Sequence, residues 1–325
     1  MARLTMIQAI HQALEQAMEA DDRVLVMGED VGRNGGVFRA TDGLYDRFGP
    51  ERAVDTPLAE GGIVGTAIGM AVYGLRPVAE IQFMGFAYQA FSQLVAQAAR
   101  IRFRSLGHYT CPLVVRAPYG GGVKALELHS DTMEARALHT PGLKFVTPST
   151  PYDAKGLLLA AIEDPDPVIV AEPLRLYRSH RDEVPEERYL VPIGKARTAR
   201  EGTDVTIVTW GSQVPTALAA ADLCAQEGVS AEVIDLRTIV PMDQDAILAS
   251  VEKTHRVVIV QEAPLMGGVG SEIAALVSEQ AILSLEAPPV RVGGYDMPFP
   301  PSSLEEHYLP TPERVKAAVD RVRAF

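Results

Sequence analysis

Apolar and polar positions alternate along the chain with two periods, and the same rhythm appears in both halves. Residues 5–20 place Ile7, Ile10, Leu14 and Met18 three to four positions apart, the spacing of a helix with one apolar stripe. Thr5 stands at the N-cap position and Gln8 at the return position of a capping box. Val24-Leu25-Val26-Met27 is a continuous apolar run closed by Gly28, the pattern of a strand buried on both faces. Similar runs predict strands at 77–82, 112–117, 143–146 and 167–171, with helices at 61–73, 86–103 and 152–163. The charged, proline-containing stretch 178–200 breaks the rhythm and reads as a crossing between domains. Strands then follow at 205–208, 231–234, 257–260 and 290–292, with helices at 213–227, 243–254 and 270–283. Thr311 can cap a last helix. Short buried strands alternating with helices predict parallel sheets covered on both faces. The expected fold class is α/β with two doubly wound domains, residues 1–185 and 186–325.

Composition narrows the function classes. A chain of 325 residues fits two domains of about 150 residues each. With 30 Lys+Arg against 42 Asp+Glu, the net charge of −12 argues against nucleic acid or an anionic membrane surface as the main partner. Cys111 and Cys224 are the only cysteines and lie far apart, which fits a reducing cytoplasm and supplies neither a disulfide framework nor a metal cluster. Residues 1–5 lack the apolar run of a signal peptide, and no run of about 18 apolar residues predicts a membrane span.

Four stretches carry candidate chemistry. Gly28-Glu29-Asp30-Val31-Gly32 follows a buried strand, where loops of open α/β sheets line the ligand crevice. A solvated turn with Asp30 capping local backbone is the plainer alternative. In the second stretch Gly61, Gly65 and Gly69 recur every four residues and form one smooth helical face. Each glycine costs up to about 1 kcal/mol relative to alanine, so another helix should pack closely on that face. Glu60 heads this helix, either as a buried carboxylate in need of a partner or as an ordinary first-turn glutamate. Third, Gly120-Gly121-Gly122 precedes His129, with Asp131 and Glu134 spaced as an N-cap and its return residue. That places His129 just ahead of a helix N-terminus, whose dipole favours the neutral imidazole of a proton shuttle. A surface histidine in a loop is the alternative. The fourth stretch, Asp235-Leu236-Arg237-Thr238, reads as a structural turn in which Asp235 and Arg237 pair. No P-loop, HExxH pair, paired C-x-x-C or G-x-S-x-G elbow is present, and Gly267-Gly268-Val269-Gly270 does not match G-x-G-x-x-G.

Taken together, these stretches resemble the beta chain of the thiamine-diphosphate-dependent first component of 2-oxo acid dehydrogenase complexes. The resemblance spans essentially the whole chain. It also rests on Gly35-Gly36-Val37-Phe38-Arg39, Asp55-Thr56-Pro57-Leu58-Ala59-Glu60, Arg76-Pro77-Val78-Ala79-Glu80-Ile81-Gln82-Phe83 and Pro151-Tyr152-Asp153-Ala154-Lys155-Gly156. It implies a transketolase-like pyrimidine-binding domain followed by a transketolase C-terminal-like domain. It implies an α2β2 heterotetramer whose alpha subunit holds Mg²⁺ and the diphosphate through a Gly-Asp-Gly motif that is missing here. Glu60 aligns with the glutamate that hydrogen-bonds the cofactor's aminopyrimidine nitrogen. Glu29, Gln82 and Phe86 align with positions around that ring. His129 aligns with the active-site histidine that serves acyl transfer to the lipoyl group of the acyltransferase core. Ala161, Ile162, Asp164 and Asp166 align with a loop that holds a monovalent cation, K⁺, in some members.

On substrate the sequence divides. His129-Ser130-Asp131-Thr132-Met133-Glu134 and Ile81-Gln82-Phe83-Met84-Gly85-Phe86 look closer to bacterial pyruvate-type chains. The tail Gly294-Tyr295-Asp296-Met297-Pro298-Phe299-Pro300 looks more like branched-chain members. Pyruvate is slightly favoured as the 2-oxo acid. Alternatives are an acetoin dehydrogenase beta chain, a non-catalytic scaffold and a stand-alone nucleotide-binding protein. The absent phosphate loops disfavour the last. With no chemical constellation evident in it, the second domain is expected mainly to assemble the tetramer and dock the acyltransferase.

Overall fold

Caps and apolar stripes set most elements where the sequence places them. The computed structural model describes residues 1–325. Its strands are β1 (Ala2–Leu4), β2 (Val24–Gly28), β3 (Ala53–Asp55), β4 (Arg76–Glu80), β5 (Val114–Tyr119), β6 (Lys144–Val146), β7 (Val168–Pro173), β8 (Asp182–Val184), β9 (Arg197–Arg200), β10 (Val205–Thr209), β11 (Ala231–Asp235), β12 (Thr238–Val240), β13 (Val257–Pro264) and β14 (Val290–Gly294). The longer helices are α1 (Met6–Ala20), α2 (Glu60–Tyr73), α3 (Pro151–Glu163), α4 (Val214–Gln226), α5 (Gln244–Thr254), α6 (Val269–Gln280) and α7 (Pro312–Arg323). Thr5 and Gln8 form both bonds of the capping box on α1. Thr150, Asp243 and Thr311 cap α3, α5 and α7 through their side chains.

Two sheets result. The first runs β12-β6-β7-β5-β4-β2-β3 and the second β14-β13-β10-β11-β9. Every pairing is parallel except at one edge of each sheet, where β12 and β9 are antiparallel. All five residues of β2, β10 and β11 are buried, as strands covered by helices on both faces must be.

Three departures from the sequence reading matter. The stretch predicted as one helix over 86–103 is broken into Met84–Gln89, Phe91–Ala96, Ala98–Arg100 and Ile101–Arg104. Two backbone contacts shape it: a Cβ on Gly85 would overlap the carbonyl of Leu128, and one on Gly142 would overlap the carbonyl of Ala99. Next, the crossing segment is not all linker. Its β8 pairs with β1, and its end is already β9 of the second sheet. Finally, β12 comes from the second half of the chain yet pairs with β6 at the edge of the first sheet. Asp235 and Arg237 do not form an ion pair on the way there. Arg237 bonds Asp153 at 2.9 Å, while Asp235 is held by Arg197 at 3.1 Å and by Ser149.

The glycine face of α2 is only partly covered within this chain. A Cβ at Gly61 would lie 3.2 Å from the carbonyl of Gln89, and one at Gly65 would lie 3.8 Å from the side chain of Gln93. Gly69 meets nothing within 4 Å. The predicted close packing is thus made on the first two turns and left open on the third.

The link between domains is pinned by a buried ammonium. Lys155 on α3 is fully buried, and its Nζ donates to Gln12 Oε1 at 2.9 Å and to the carbonyls of Pro185 at 2.6 Å and Glu187 at 2.9 Å. Replacing it leaves those acceptors dry and unpaired. Lys155→Met should cost about 3 kcal/mol of unfolding free energy, read from urea midpoints. A loss below about 1 kcal/mol would mean the carbonyls find water instead.

Candidate active site

The register of the first sheet levels three strand ends. Gly28 of β2 stands opposite Glu80 of β4 and Asp55 of β3, so the loops beginning at 29, 56 and 81 leave the sheet from one edge. Gly28 is required there: at φ +153° its Cβ would lie 2.6 Å from the carbonyl of Glu80. This edge carries Glu29, Glu60, Gln82 and Phe86.

Glu60 is the first residue of α2 and is 4% exposed. Its Oε2 is buried and has no hydrogen-bond partner. A buried carboxylate oxygen without a partner is costly, and a ligand donor is the simplest remedy. Glu29 is also buried, and its pKa is raised, first by burial, then by the charges of Glu60 and Asp30. The fold therefore brings Glu29 and Glu60 within electrostatic reach of each other. The Nε2 of Gln82 points to Asp30 Oδ2 at 3.5 Å.

His129 is placed by aromatic rings, not by a helix dipole. Its ring centroid lies 4.3 Å from that of Phe83 and 5.0 Å from that of Phe86, both in edge-on geometry. Its Nδ1 lies 2.8 Å from the carbonyl of Glu127. A carbonyl only accepts, so Nδ1 donates, and in the corresponding neutral tautomer Nε2 is the acceptor. The predicted Asp131–Glu134 cap is absent. The following helix is only Glu134–Leu138, and its N-cap, Met133, makes no side-chain bond. Instead, the buried side chain of Glu134 joins the contact between domains.

Two domain families match this chain. The transketolase pyrimidine-binding domain matches residues 2–180 and the transketolase C-terminal domain residues 194–315. The chain is 52% identical over 100% of both chains to the pyruvate dehydrogenase E1 component subunit beta of Bacillus subtilis. It is 51% identical to the same subunit of Acholeplasma laidlawii, over 99% of this chain and 98% of that one. This chain belongs to the 2-oxo acid dehydrogenase E1 beta family. Among solved structures, a split-gene transketolase in an inactive beta4 tetramer superposes with a TM-score of 0.80 at 25% identity, covering 99% of each chain.

Beside the predicted positions stand residues that the sequence reading missed. Glu262 and Glu305 belong to the second half of the chain, yet both reach the glycine loop of the first. Glu262 accepts from the N–H of Gly121, and Glu305 Oε1 accepts from the N–H groups of Gly122 and Val123, the latter at 3.0 Å. The second half is thus not devoid of site chemistry. A signal existed for Glu262, because Gln261-Glu262 closes an apolar strand as Glu29 follows β2. Glu305 had none.

The loop aligned with a monovalent-cation site is closed by side chains of this beta-type chain. Arg76 donates to the carbonyl of Ile162 at 2.6 Å, Lys144 donates to Asp164 at 2.6 Å and Arg102 to Asp166 at 2.6 Å. Ala161 and Ile162 are buried at the end of α3. Cationic side chains thus hold the Ile162 carbonyl and the Asp164 and Asp166 carboxylates, and the Ala161 carbonyl takes the N–H of Asp164, so these residues do not form an open cradle for K⁺.

Glu134 makes the clearest pH prediction. It is fully enclosed, and neither carboxylate oxygen has a partner. Burial, reinforced by the charge of Glu262, pushes its pKa from 4.5 up to about 7. The folded state then holds this proton more tightly than the unfolded chain does. Its contribution is fully present below pH 4.5 and is lost as pH rises towards 7. Wild-type stability should therefore fall by about 3 kcal/mol across that window relative to Glu134→Gln. Parallel stability profiles for the two proteins would refute the assignment.

Proposed function

We propose that this chain is the beta subunit of a pyruvate-type 2-oxo acid dehydrogenase first component, an oxidoreductase active only with its alpha subunit in an α2β2 heterotetramer. The observation that carries the reading is the buried, unpartnered Oε2 of Glu60 beside Glu29. That orphan acceptor fits the aminopyrimidine ring of thiamine diphosphate. Mg²⁺ and the diphosphate fall to the alpha subunit, since no Gly-Asp-Gly occurs here. When bound, the cofactor supplies the electron sink for decarboxylation of the 2-oxo acid.

The chain's own residues have separable tasks. Glu60 binds and polarises the ring from its dry position. Phe86 gives the pocket an apolar wall, and Gln82 and Glu29 line its rim. His129, with Nε2 free to accept, exchanges a proton with the lipoyl group of the acyltransferase during acyl transfer. The family relatives named pyruvate dehydrogenase support pyruvate over branched-chain 2-oxo acids. The second half of the chain assists in docking the acyltransferase core. No helix is long and apolar enough to cross a membrane, and both cysteines are free and buried, which suits work in a reducing cytoplasm.

Co-expression with an alpha-type partner, then assay with thiamine diphosphate, Mg²⁺ and a panel of 2-oxo acids, tests this reading. Pyruvate should be turned over fastest. Full activity of the isolated chain, or a clear preference for branched-chain acids, would overturn it. Glu60→Gln should lose roughly 100-fold or more both with an artificial electron acceptor and in the complete complex. His129→Ala should depress the complete reaction far more than the artificial-acceptor assay. Equal losses for His129→Ala would remove its assignment to acyl transfer.

A further inference from the structure

The segment bearing His129 is suspended between the two halves of the chain. On the first-domain side, the carbonyl of Leu128 packs directly against Gly85, and the His129 ring rests on Phe83 and Phe86. At the other end, residues 120–123 are held by carboxylates from the second half. Glu262 is 3% exposed and sits at the end of β13. One oxygen accepts from Gly121 N–H, and the other accepts from the Ser212 hydroxyl and from Gln213 Nε2 at 3.3 Å. Glu305 is 1% exposed, and its Oε1 takes the N–H groups of both Gly122 and Val123. Between the two anchors the chain is irregular, with Lys124 at φ +55° and Leu128 at φ +66°. Such angles are uncommon for non-glycine residues.

We propose that Glu262 and Glu305 are positioning residues that fix the His129 segment, so that the second half of the chain sets the geometry of the acyl-transfer histidine. The alternative, that the two carboxylates merely glue the domains together, makes different predictions. The proposal rests on the assignment of His129 to acyl transfer, so its test has one arm that needs no activity.

The conservative and the truncating substitution should separate at both glutamates. Glu305 uses one oxygen for both backbone donors, and its Oε2 is buried without a partner. Glu305→Gln can keep its carbonyl at the Oε1 position and should retain the loop, whereas Glu305→Ala cannot. Glu262 accepts with both oxygens, but the Ser212 hydroxyl and the Gln213 amide can turn to accept from an N–H₂, so Glu262→Gln should be tolerated and Glu262→Ala is the variant that removes the anchor.

In the first arm, hydrogen–deuterium exchange is followed on the full-length chain by peptides covering 120–128. Glu305→Ala and Glu262→Ala should each accelerate exchange there on the order of tenfold, with Glu305→Gln close to wild type. A thermal melt confirms that each variant is folded. In the second arm, the assembled enzyme is assayed. Glu305→Ala should reproduce the His129→Ala pattern, losing lipoyl transfer far more than turnover with an artificial acceptor. The His129→Ala/Glu305→Ala double variant should be little worse than either single one, because both act through one group. Wild-type exchange in Glu305→Ala, equal damage from Glu305→Gln and Glu305→Ala, or additive losses in the double variant would each overturn the proposal. If exchange responds as expected but His129→Ala itself lacks the transfer defect, the fault lies with the histidine's assigned role and not with the carboxylates.

Discussion

One buried guanidinium sets the frame on which the site is built. Arg116, 2% exposed, sits in the middle strand of three that are adjacent in the first sheet. It pairs with Glu80 on β4, and it grips Glu172 on β7 with two bonds, at 2.8 and 2.7 Å. The Tyr177 hydroxyl donates to the same Glu172 carboxylate at 2.5 Å. Two carboxylates share one cation, and burial raises the pKa of Glu80. Such clusters return little net stability, because desolvation offsets much of the Coulomb attraction. What this one fixes is register. Breaking any one pairing would leave a buried charge alone, so β4, β5 and β7 are held level at their carboxyl ends. Glu80 directly precedes Ile81-Gln82-Phe83, and its carbonyl is the atom that obliges residue 28 to be glycine. The positions of Glu29, Gln82, Phe83 and Phe86 all descend from that alignment.

Above this frame the site divides by origin. Glu29 and Glu60 stand where strands of the first sheet end and are buried by local packing. The histidine comes from a longer loop that has no regular structure and needs help at both ends. Phe38 extends the aromatic support, with centroids 5.5 Å from both Phe83 and Tyr177. The buried charge cluster and the histidine platform are therefore in contact through two rings. The charge cluster is buried, whereas Phe38, Phe83, Phe86 and His129 are each half-buried, so the platform meets solvent on one side.

Much of the fold could be read from the sequence because its determinants are local. The stripe and capping box of α1, the apolar runs of β2 and β10, and the caps at Thr150, Asp243 and Thr311 lie within a few residues of what they control. The failures share a cause of the opposite kind. The stretch 86–103 has helical periodicity, but contacts from Leu128 and Gly142 bend it. Strand β12 is three residues long, and its partner lies about ninety positions earlier. Asp131 and Glu134 have the spacing of a cap, yet the Glu134 side chain is buried towards Glu262 and Trp210 of the second half. Glu60 and His129 became specific only as members of an ordered set of motifs. Glu305 announced itself by no motif, since its partners are backbone amides more than 180 residues away.

The crossing of β12 has a consequence for how the protein is made. Until residue 240 has left the ribosome, the first sheet lacks its last strand, and β6 presents a bare edge. Completing the first sheet therefore waits on synthesis of roughly the first third of the second half. During that interval the nascent chain carries an open parallel sheet of the kind that recruits stray strands. The two halves look separable on paper, but the order of synthesis ties the maturation of one to the arrival of the other.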